Sequence, residues 1–439
     1  MGEKHDEDFN SKSMSSANYI YQPPTLAYIK HRSSTFSCSM KRSVRSLFSA
    51  ILLVVIGATV SCRLAVRGGF GSIYPYCDDG DVENHLSNTT AFDFPLFNST
   101  LLKLAEIDAG ELQFKRETQQ LLEGNLVDQS RYLTHFLTWF RLRGIDLPIR
   151  SSRRTPASIQ SREFNRVWID FRRNLNDWAR KKGFQNDIML ELIDLVKVPI
   201  DRHNNGLLGV SKRKYSSCAV VGNSGILLNS EHGELIDSHE VVIRLNNARI
   251  ESFKRNVGSK TSISFINSNI FHLCSRREGC SCHPYGTNVP IVMYICQPVH
   301  FLDYTLCSSS HKSPLLITDS RFDVLCARLV KFYSLKRFAE ESKNKTLEQW
   351  ELAHDGSMFH YSSGMQAVLL AVGICDRVSL FGFGKSTSAK HHYHTNQKAE
   401  LSLHDYEAEH DFYRDLVERP ELIPFISTKF KFPPVVIHH

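Results

Sequence analysis

Cys218-Ala-Val-Val-Gly-Asn-Ser-Gly225, followed by Ile236-Asp-Ser-His-Glu-Val-Val-Ile-Arg-Leu-Asn246, is the stretch that decides the fold. A short apolar run enters a Gly-Asn-Ser-Gly turn, and a second apolar run ends on Arg244 and Asn246. Short β-branched runs bounded by Gly, Asn and Ser read as buried strands. That layout places Asn223 and Asn246 at the ends of neighbouring strands, where open α/β sheets bind nucleotides. Glycine allows close approach of the backbone to a phosphate or ribose, and an asparagine amide offers both a donor and an acceptor. The turn is not the Gly-x-Gly-x-x-Gly pattern of dinucleotide sites, so NAD has little support.

Outward from this stretch, apolar β-type runs recur at Ser262–Ile266, Ile291–Cys296, Leu315–Thr318 and Val378–Phe381. Helical patterns lie between several of them, notably Ser363–Cys375 and Asp405–Val417. Such alternation from residue 215 to 439 predicts an α/β fold, with a Rossmann-like, mostly parallel sheet flanked by helices. Residues 101–214 form a helical region leading into it. There Phe164, Val167, Trp168, Phe171, Leu175 and Trp178 recur at three and four residues, a core-facing stripe. Between Arg141 and Lys182 stand 12 Arg or Lys against four acids, so this region is locally more basic than the whole chain at +7. A solvated helix face explains this, and an acidic partner such as an anionic polysaccharide would use it.

The N-terminal part reads differently. Residues 1–45 are polar and rich in Ser and charge, the composition of a disordered tail. Ser46–Cys62 is a run of 17 residues without a charge, at the short limit for a membrane span. Lys30, Arg32, Lys41, Arg42 and Arg45 precede it, which predicts a single-pass type II signal anchor with the tail cytosolic and the rest lumenal. Residues 63–100 read as a stem, in which Asp79-Gly-Asp81 is a turn and not a metal motif. Sequons at Asn88, Asn98 and Asn344 fall on the lumenal side. Nine of the 11 cysteines follow the anchor, in a compartment that permits disulfides, and an odd number leaves at least one thiol over. Cys280-Ser-Cys282, with Cys274 and His283 nearby, lacks zinc-site spacing and reads as a disulfide-stapled loop.

Three further constellations hold polar chemistry. In the first, Ser362 of His360-Tyr-Ser-Ser-Gly-Met365 is placed to cap a helix, and the N–H groups of Ser363 and Gly364 stand where an anion would bind. The second, Lys390-His-His-Tyr-His394, and the third, His404-Asp-Tyr-Glu-Ala-Glu409, supply histidines, the commonest general acids and bases near neutral pH. Glu409, five residues after His404, would orient or bias the imidazole.

Taken in order, Cys218–Asn246, Ser362–Gly384, His392-Tyr393-His394 and His404 with Glu409 resemble the four motifs of the sialyltransferase family, glycosyltransferase family 29. The resemblance covers about residues 215–420 and is similar to the plant sialyltransferase-like branch. It implies a GT-A-variant fold on a membrane anchor and a Golgi enzyme that transfers a sugar from a CMP donor to a glycan hydroxyl with inversion. It implies that Asn223, Ser224, Asn246, Ser362, Ser363 and Gly364 bind CMP, and that Cys218 and Cys375 are disulfide-bonded. His404 would be the general base and His392 would stabilise the departing phosphate. No divalent metal or other cofactor is implied, and no nucleic-acid partner is expected. Four positions depart from the family pattern: Glu240 after His239, Arg249 after Ala248, Tyr361 before Ser362, and Thr395 at the end of the third motif. For the plant branch the 2-keto acids Kdo or Dha, added to pectic rhamnogalacturonan-II, are the implied substrates. The alternatives are an inactive Golgi protein that binds glycans or partner enzymes, and an enzyme of the same fold using a UDP-hexose.

Overall fold

The computed structural model describes residues 94–106, 111–123, 162–206, 210–271, 282–308, 311–341, 349–351, 360–384, 389–395 and 403–438. The tail, the anchor at 46–62, most of the stem, Asn88, Asn344, Cys274 and Cys280 lie outside the described residues. Among the described residues no helix is long and apolar enough to cross a membrane.

Seven strands form one sheet: β1 (Cys218–Val221), β2 (Val241–Leu245), β3 (Ile263–Asn267), β4 (Ile291–Tyr294), β5 (Leu315–Ile317), β6 (Val378–Phe381) and β7 (Val435–His438). Their order is β5-β4-β3-β2-β1-β6-β7, and every neighbouring pair is parallel, so the sheet is parallel throughout. The expected strands are present with ends shifted by at most two residues. The addition is β7, which has one buried residue, Val435, and whose remaining partial exposure suits an edge.

Six helices matter for the site: α1 (Phe94–Ala105), α2 (Glu111–Glu123), α3 (Arg162–Lys181), α4 (Ser320–Glu341), α5 (Ser363–Ile374) and α6 (Tyr406–Glu418). Alternation along the strands sorts them into layers. Cys218 and Val220 of β1, with Val241, Ile243 and Leu245 of β2, pack under α1, α4, α5 and α6. On the opposite face Ala219, Val221 and Val242 pack with Leu227, Phe381 and Tyr393. Beyond them, α2 and α3 cover β4 through Leu121, Phe171, Leu175 and Trp178. Phe171, Leu175 and Trp178 of the stripe predicted on α3 are therefore core, with Trp178 Nε1 donating to the Thr318 carbonyl at 3.1 Å. Each such buried side chain contributes about 1.5–3 kcal/mol relative to exposure.

α1 crosses the boundary at residue 100 drawn between stem and helical region. Its Leu101 and Ala105 are buried in the main core. The sequon at Asn98 therefore falls within a helix. On α3 the basic face is partly neutralised, because Arg173 pairs with Asp170 and Arg180 with Asp177 one turn away.

α5 runs antiparallel to the sheet beneath β1 and β2, and it is buried along its whole length. At its far end Cys375 forms a disulfide with Cys218, the first residue of β1, as the family resemblance implied. Cys282 is bonded to Cys307, a stapling of the cysteine-rich loop to the helix that follows β4.

Candidate active site

The strand order reverses between β1 and β6, and the loops leaving these two strands are bound to each other. Gly222 N donates to Phe381 O at 2.7 Å, Ser224 Oγ to Gly384 O at 2.9 Å, and Gly225 N to Lys390 O at 2.9 Å. A Cβ on Gly222 would meet Gly382 O at 2.7 Å, and one on Gly225 would meet Lys390 O at 2.4 Å. The turn glycines therefore serve close approach of protein backbone rather than of a ligand, a correction to the simplest reading of the Gly-Asn-Ser-Gly turn. They dock the histidine loop onto the end of β1, where Tyr393 N also donates to Asn223 O at 2.9 Å.

Asn223 and Asn246 both stand at strand ends, as the sequence indicates. Asn223 Oδ1 is buried and has no hydrogen-bond partner among the described residues. Asn246 adopts φ of 52°, a left-handed conformation that asparagine tolerates better than most residues. That twist turns its side chain back over the sheet end. Its Oδ1 accepts from Asn267 N at 3.0 Å and its Nδ2 donates to Ser363 Oγ at 3.4 Å. Asn267 at the end of β3 and Tyr294 at the end of β4 reach the same hydroxyl, at 3.3 and 3.4 Å. Ser363 is thus the meeting point of β2, β3, β4 and the first turn of α5.

Ser362 and Ser224 use their side chains within the protein. Ser362 Oγ accepts from Met365 N at 3.2 Å, the predicted cap, and donates to Glu409 Oε2 at 2.6 Å. Glu409 Oε1 also accepts from Ser362 N at 2.7 Å, and Tyr413 donates to Oε2 at 3.3 Å. Glu409 therefore positions the start of α5 and is bonded there rather than to His404. Burial lifts its carboxyl to about 7, against the pull of these donors. Gly364 sits beneath Phe383, whose ring carbon would lie 3.0 Å from an added Cβ.

His404 precedes α6, and its Nδ1 lies 2.9 Å from the His360 carbonyl. A carbonyl only accepts, so Nδ1 bears a hydrogen, which in the neutral ring makes Nε2 the basic nitrogen. From His404 a continuous series of ring contacts leads to the second loop. It passes from Tyr406 at 5.5 Å to His391 at 5.4 Å, then to His392 at 4.4 Å. Burial lowers the His392 pKa, and His394 falls to about 4 through burial, His392 and Arg249. Thr395 Oγ1 lies 3.4 Å from His392 Nδ1, so the polar residue closing this motif touches the histidine it follows.

One of the four departures lies at the opposite end of the sheet, and another is buried beneath the Ser363 cluster. Glu240 lies at the start of β2, where it accepts from Ser216 N at 2.6 Å and Ser216 Oγ at 2.7 Å. Tyr361 is buried, with its ring 5.6 Å from that of Tyr294. Arg249 is exposed beside the histidine loop, and its carbonyl accepts from Tyr393 at 2.6 Å. Asn267 and Tyr294 were not selected by the sequence reading. The signal available was an asparagine closing β3 just as Asn246 follows β2.

Buried, open asparagine oxygens and two histidine-bearing loops at the C-terminal rim of a parallel sheet have the layout of the nucleotide-binding α/β class. The family model "Glycosyltransferase family 29 (sialyltransferase)" matches residues 161–420. The chain is 54% identical over 406 residues to "Beta-1,6-galactosyltransferase GALT29A" of Arabidopsis thaliana, covering 91% of this chain and 100% of that one. It is 44% identical over 421 residues to "Sialyltransferase-like protein 1" of Oryza sativa subsp. japonica, with the same coverage. A solved structure of a mammalian sialyltransferase in complex with Gal-beta-1-3GalNAc-ortho-nitrophenol aligns with 70% of this chain and 85% of its own. The identity is 21% and the TM-score 0.34. The chain belongs to glycosyltransferase family 29 and is a glycosyltransferase. Membership implies a nucleotide-sugar donor and a glycan acceptor.

Proposed function

We propose that the protein is an inverting transferase that moves galactose from a nucleotide donor to a hydroxyl of a galactan-type glycan. The observation that carries this reading is the pairing of a base-ready His404 with the polar cluster centred on Ser363. A sugar leaving a phosphate brings its own good leaving group. The protein must deprotonate an alcohol, neutralise developing phosphate charge and align the two. His404 Nε2 fills the first role and His392 the second, while Asn223, Asn246 and the backbone N–H groups of Ser363 and Gly364 hold the nucleotide. Galactose is favoured by the relative named as a β-1,6-galactosyltransferase, because a β product from an α-linked nucleotide sugar is an inversion.

A second reading retains CMP and a 2-keto acid such as sialic acid, Kdo or Dha, with rhamnogalacturonan-II as acceptor. The four ordered sialyltransferase motifs favour it. In both readings residues 46–62 anchor the enzyme in the Golgi membrane with its catalytic domain in the lumen, no metal takes part, and Asn88, Asn98 and Asn344 are glycosylation acceptors. The deciding experiment offers UDP-galactose, CMP-N-acetylneuraminate and CMP-Kdo to the purified protein with β-galactan and pectic acceptors. Galactose transfer that is absent in His404→Ala supports the first reading. Transfer from a CMP donor alone establishes the second, and no turnover with any donor points to a glycan-binding or partner-binding protein.

A further inference from the structure

We infer that Arg249, with His394 beside it, binds the second phosphate of a nucleoside diphosphate donor. The inference rests on the galactose reading: galactose is neutral, so a second anion on such a donor belongs to the nucleotide. His391, His392 and His394 form a row of rings, with 4.4 Å between the first two centroids and 5.8 Å between the last two. The rings of His392 and His394 are nearly parallel, at 5°. His392 is the group read as meeting the first phosphate. Past His394 the row ends at Arg249, whose charge, after burial and His392, helps to hold the His394 pKa at about 4. The buried Nε2 of His394 has no hydrogen-bond partner among the described residues.

Arg249 is held by its backbone, which leaves its side chain free. It follows the turn at the end of β2, three residues after Asn246. Tyr285 donates to the Ala248 carbonyl at 3.0 Å, and Tyr393 to the Arg249 carbonyl at 2.6 Å. Tyr393 N donates in turn to Asn223 O at 2.9 Å, so the ends of β1 and β2 and the histidine loop share one frame. The guanidinium on that frame is exposed, and no carboxylate pairs with it among the described residues. The cations that follow it in the chain are paired, Lys254 with Glu251 at 3.1 Å and Arg255 with Glu231. An arginine is always charged, and its planar fork matches two oxygens of one phosphate. The histidines do not supply that charge. Burial lowers His392 as well, so both rings are neutral in the free protein at neutral pH. A neutral ring still offers a phosphate oxygen one N–H. The second of two adjacent phosphates needs a fixed positive charge, and Arg249 places one at the end of the row.

The test measures affinity by calorimetry on the full chain for UMP, UDP, CMP, CDP and CMP-N-acetylneuraminate. Wild type should bind UDP about ten- to a hundredfold more tightly than UMP, the worth of a charge-assisted bond to the added phosphate. CDP should gain similarly over CMP. Arg249→Ala should lose that advantage and keep its affinity for UMP and CMP. Arg249→Lys, which keeps the charge but not the fork, should fall between. Lys390→Ala removes an equal charge from the start of the same loop and should leave the ratio of UDP to UMP affinity intact. Equal binding of UMP and UDP by wild type overturns the proposal, even where galactose is transferred from UDP-galactose. So does an equal loss for UMP and UDP in Arg249→Ala. The same loss of ratio in Lys390→Ala assigns the effect to the general field of the loop and also overturns it. If Arg249→Ala weakens CMP-N-acetylneuraminate and leaves UDP unchanged, the side chain reads a sugar carboxylate and the proposal falls. Wild type that binds the cytidine ligands and neither UMP nor UDP sinks the galactose reading itself, and the second-phosphate subsite with it.

Discussion

The two ends of the parallel sheet treat their polar groups in opposite ways. At the N-terminal end, several polar groups are closed off in pairs and triads. Asp237 accepts from Ser259 N, Ser259 Oγ and Lys260 N at 2.8–2.9 Å. Burial pushes its carboxyl up, yet these donors and Arg244 hold it below its ordinary value. Lys197 is buried against Asp201, which also accepts from Tyr215 at 3.0 Å. The Cys218–Cys375 disulfide lies at the same end. At the C-terminal end, Asn223 and Asn267 keep buried oxygens open, and two loops of histidines stand beside them. The bonded groups of the first end hold the fold, and the open oxygens of the second stand where the proposed ligand would bind. Substitutions in a recognised motif therefore mean different things according to the end on which they fall.

The largest test of that division is His404→Ala. Transfer should fall by roughly two to four orders of magnitude, the usual contribution of a general base, with little change in melting temperature. A comparable loss of stability would make His404 part of the scaffold. Next comes the double substitution of Cys218 and Cys375 by serine. Opening a loop of 157 residues should cost about 4–5 kcal/mol in denaturant unfolding. Donor affinity of the protein that remains folded should be unchanged, and a fall in affinity would show that the two ends are coupled through α5.

Smaller effects sharpen the comparison. Glu240→Ala removes an exposed acceptor for Ser216 and should cost less than about 1 kcal/mol, with donor affinity untouched. The Ser216 hydroxyl bond is the main reason the Glu240 carboxyl sits below its ordinary 4.5. Its contribution to stability is therefore present above that pH and lost as pH falls through the lowered value; a melt series from pH 6 to 3 should show the substitution losing its effect. The smallest effect is at His392. Burial holds its pKa below the ordinary 6.5, so the ring is neutral in the free protein at neutral pH. A phosphate beside it would raise that value, so donor binding should take up a fraction of a proton and tighten as pH falls toward 6. Calorimetry in buffers of different ionisation enthalpy measures the uptake, and its persistence in His392→Gln would place the proton elsewhere.

Much of the fold was legible, because buried parallel strands are short, continuous and apolar and are punctuated by Gly, Asn and Ser. β1, β2 and β6 begin and end where the sequence indicates. β7 was not read, since Val-Val-Ile-His is only four residues long and follows a pair of prolines well after α6 has ended. α4 lacks a clear stripe because it is buried on several sides, with even Ser334 and Lys331 inside. Of the residues read as a candidate site, Asn223, Asn246, Ser363, His392 and His404 all lie on loops or element ends at one rim. The relation of Glu409 to His404 was not, because spacing along a helix says nothing of a partner on another element.

Sequence alone determined the class of the protein, through ordered motifs whose local chemistry, an asparagine after a strand or a serine before a helix, needs only near neighbours. Tertiary structure decided which groups remain open. Ser224 and Ser362 bond within the protein, Glu409 turns to Ser362, and Asn267 joins Asn246 at Ser363. Those outcomes depend on hydrogen-bond partners brought from residues as far as 160 positions apart, as Ser224 and Gly384 are. A polar group is available to a ligand only when no distant residue has already satisfied it.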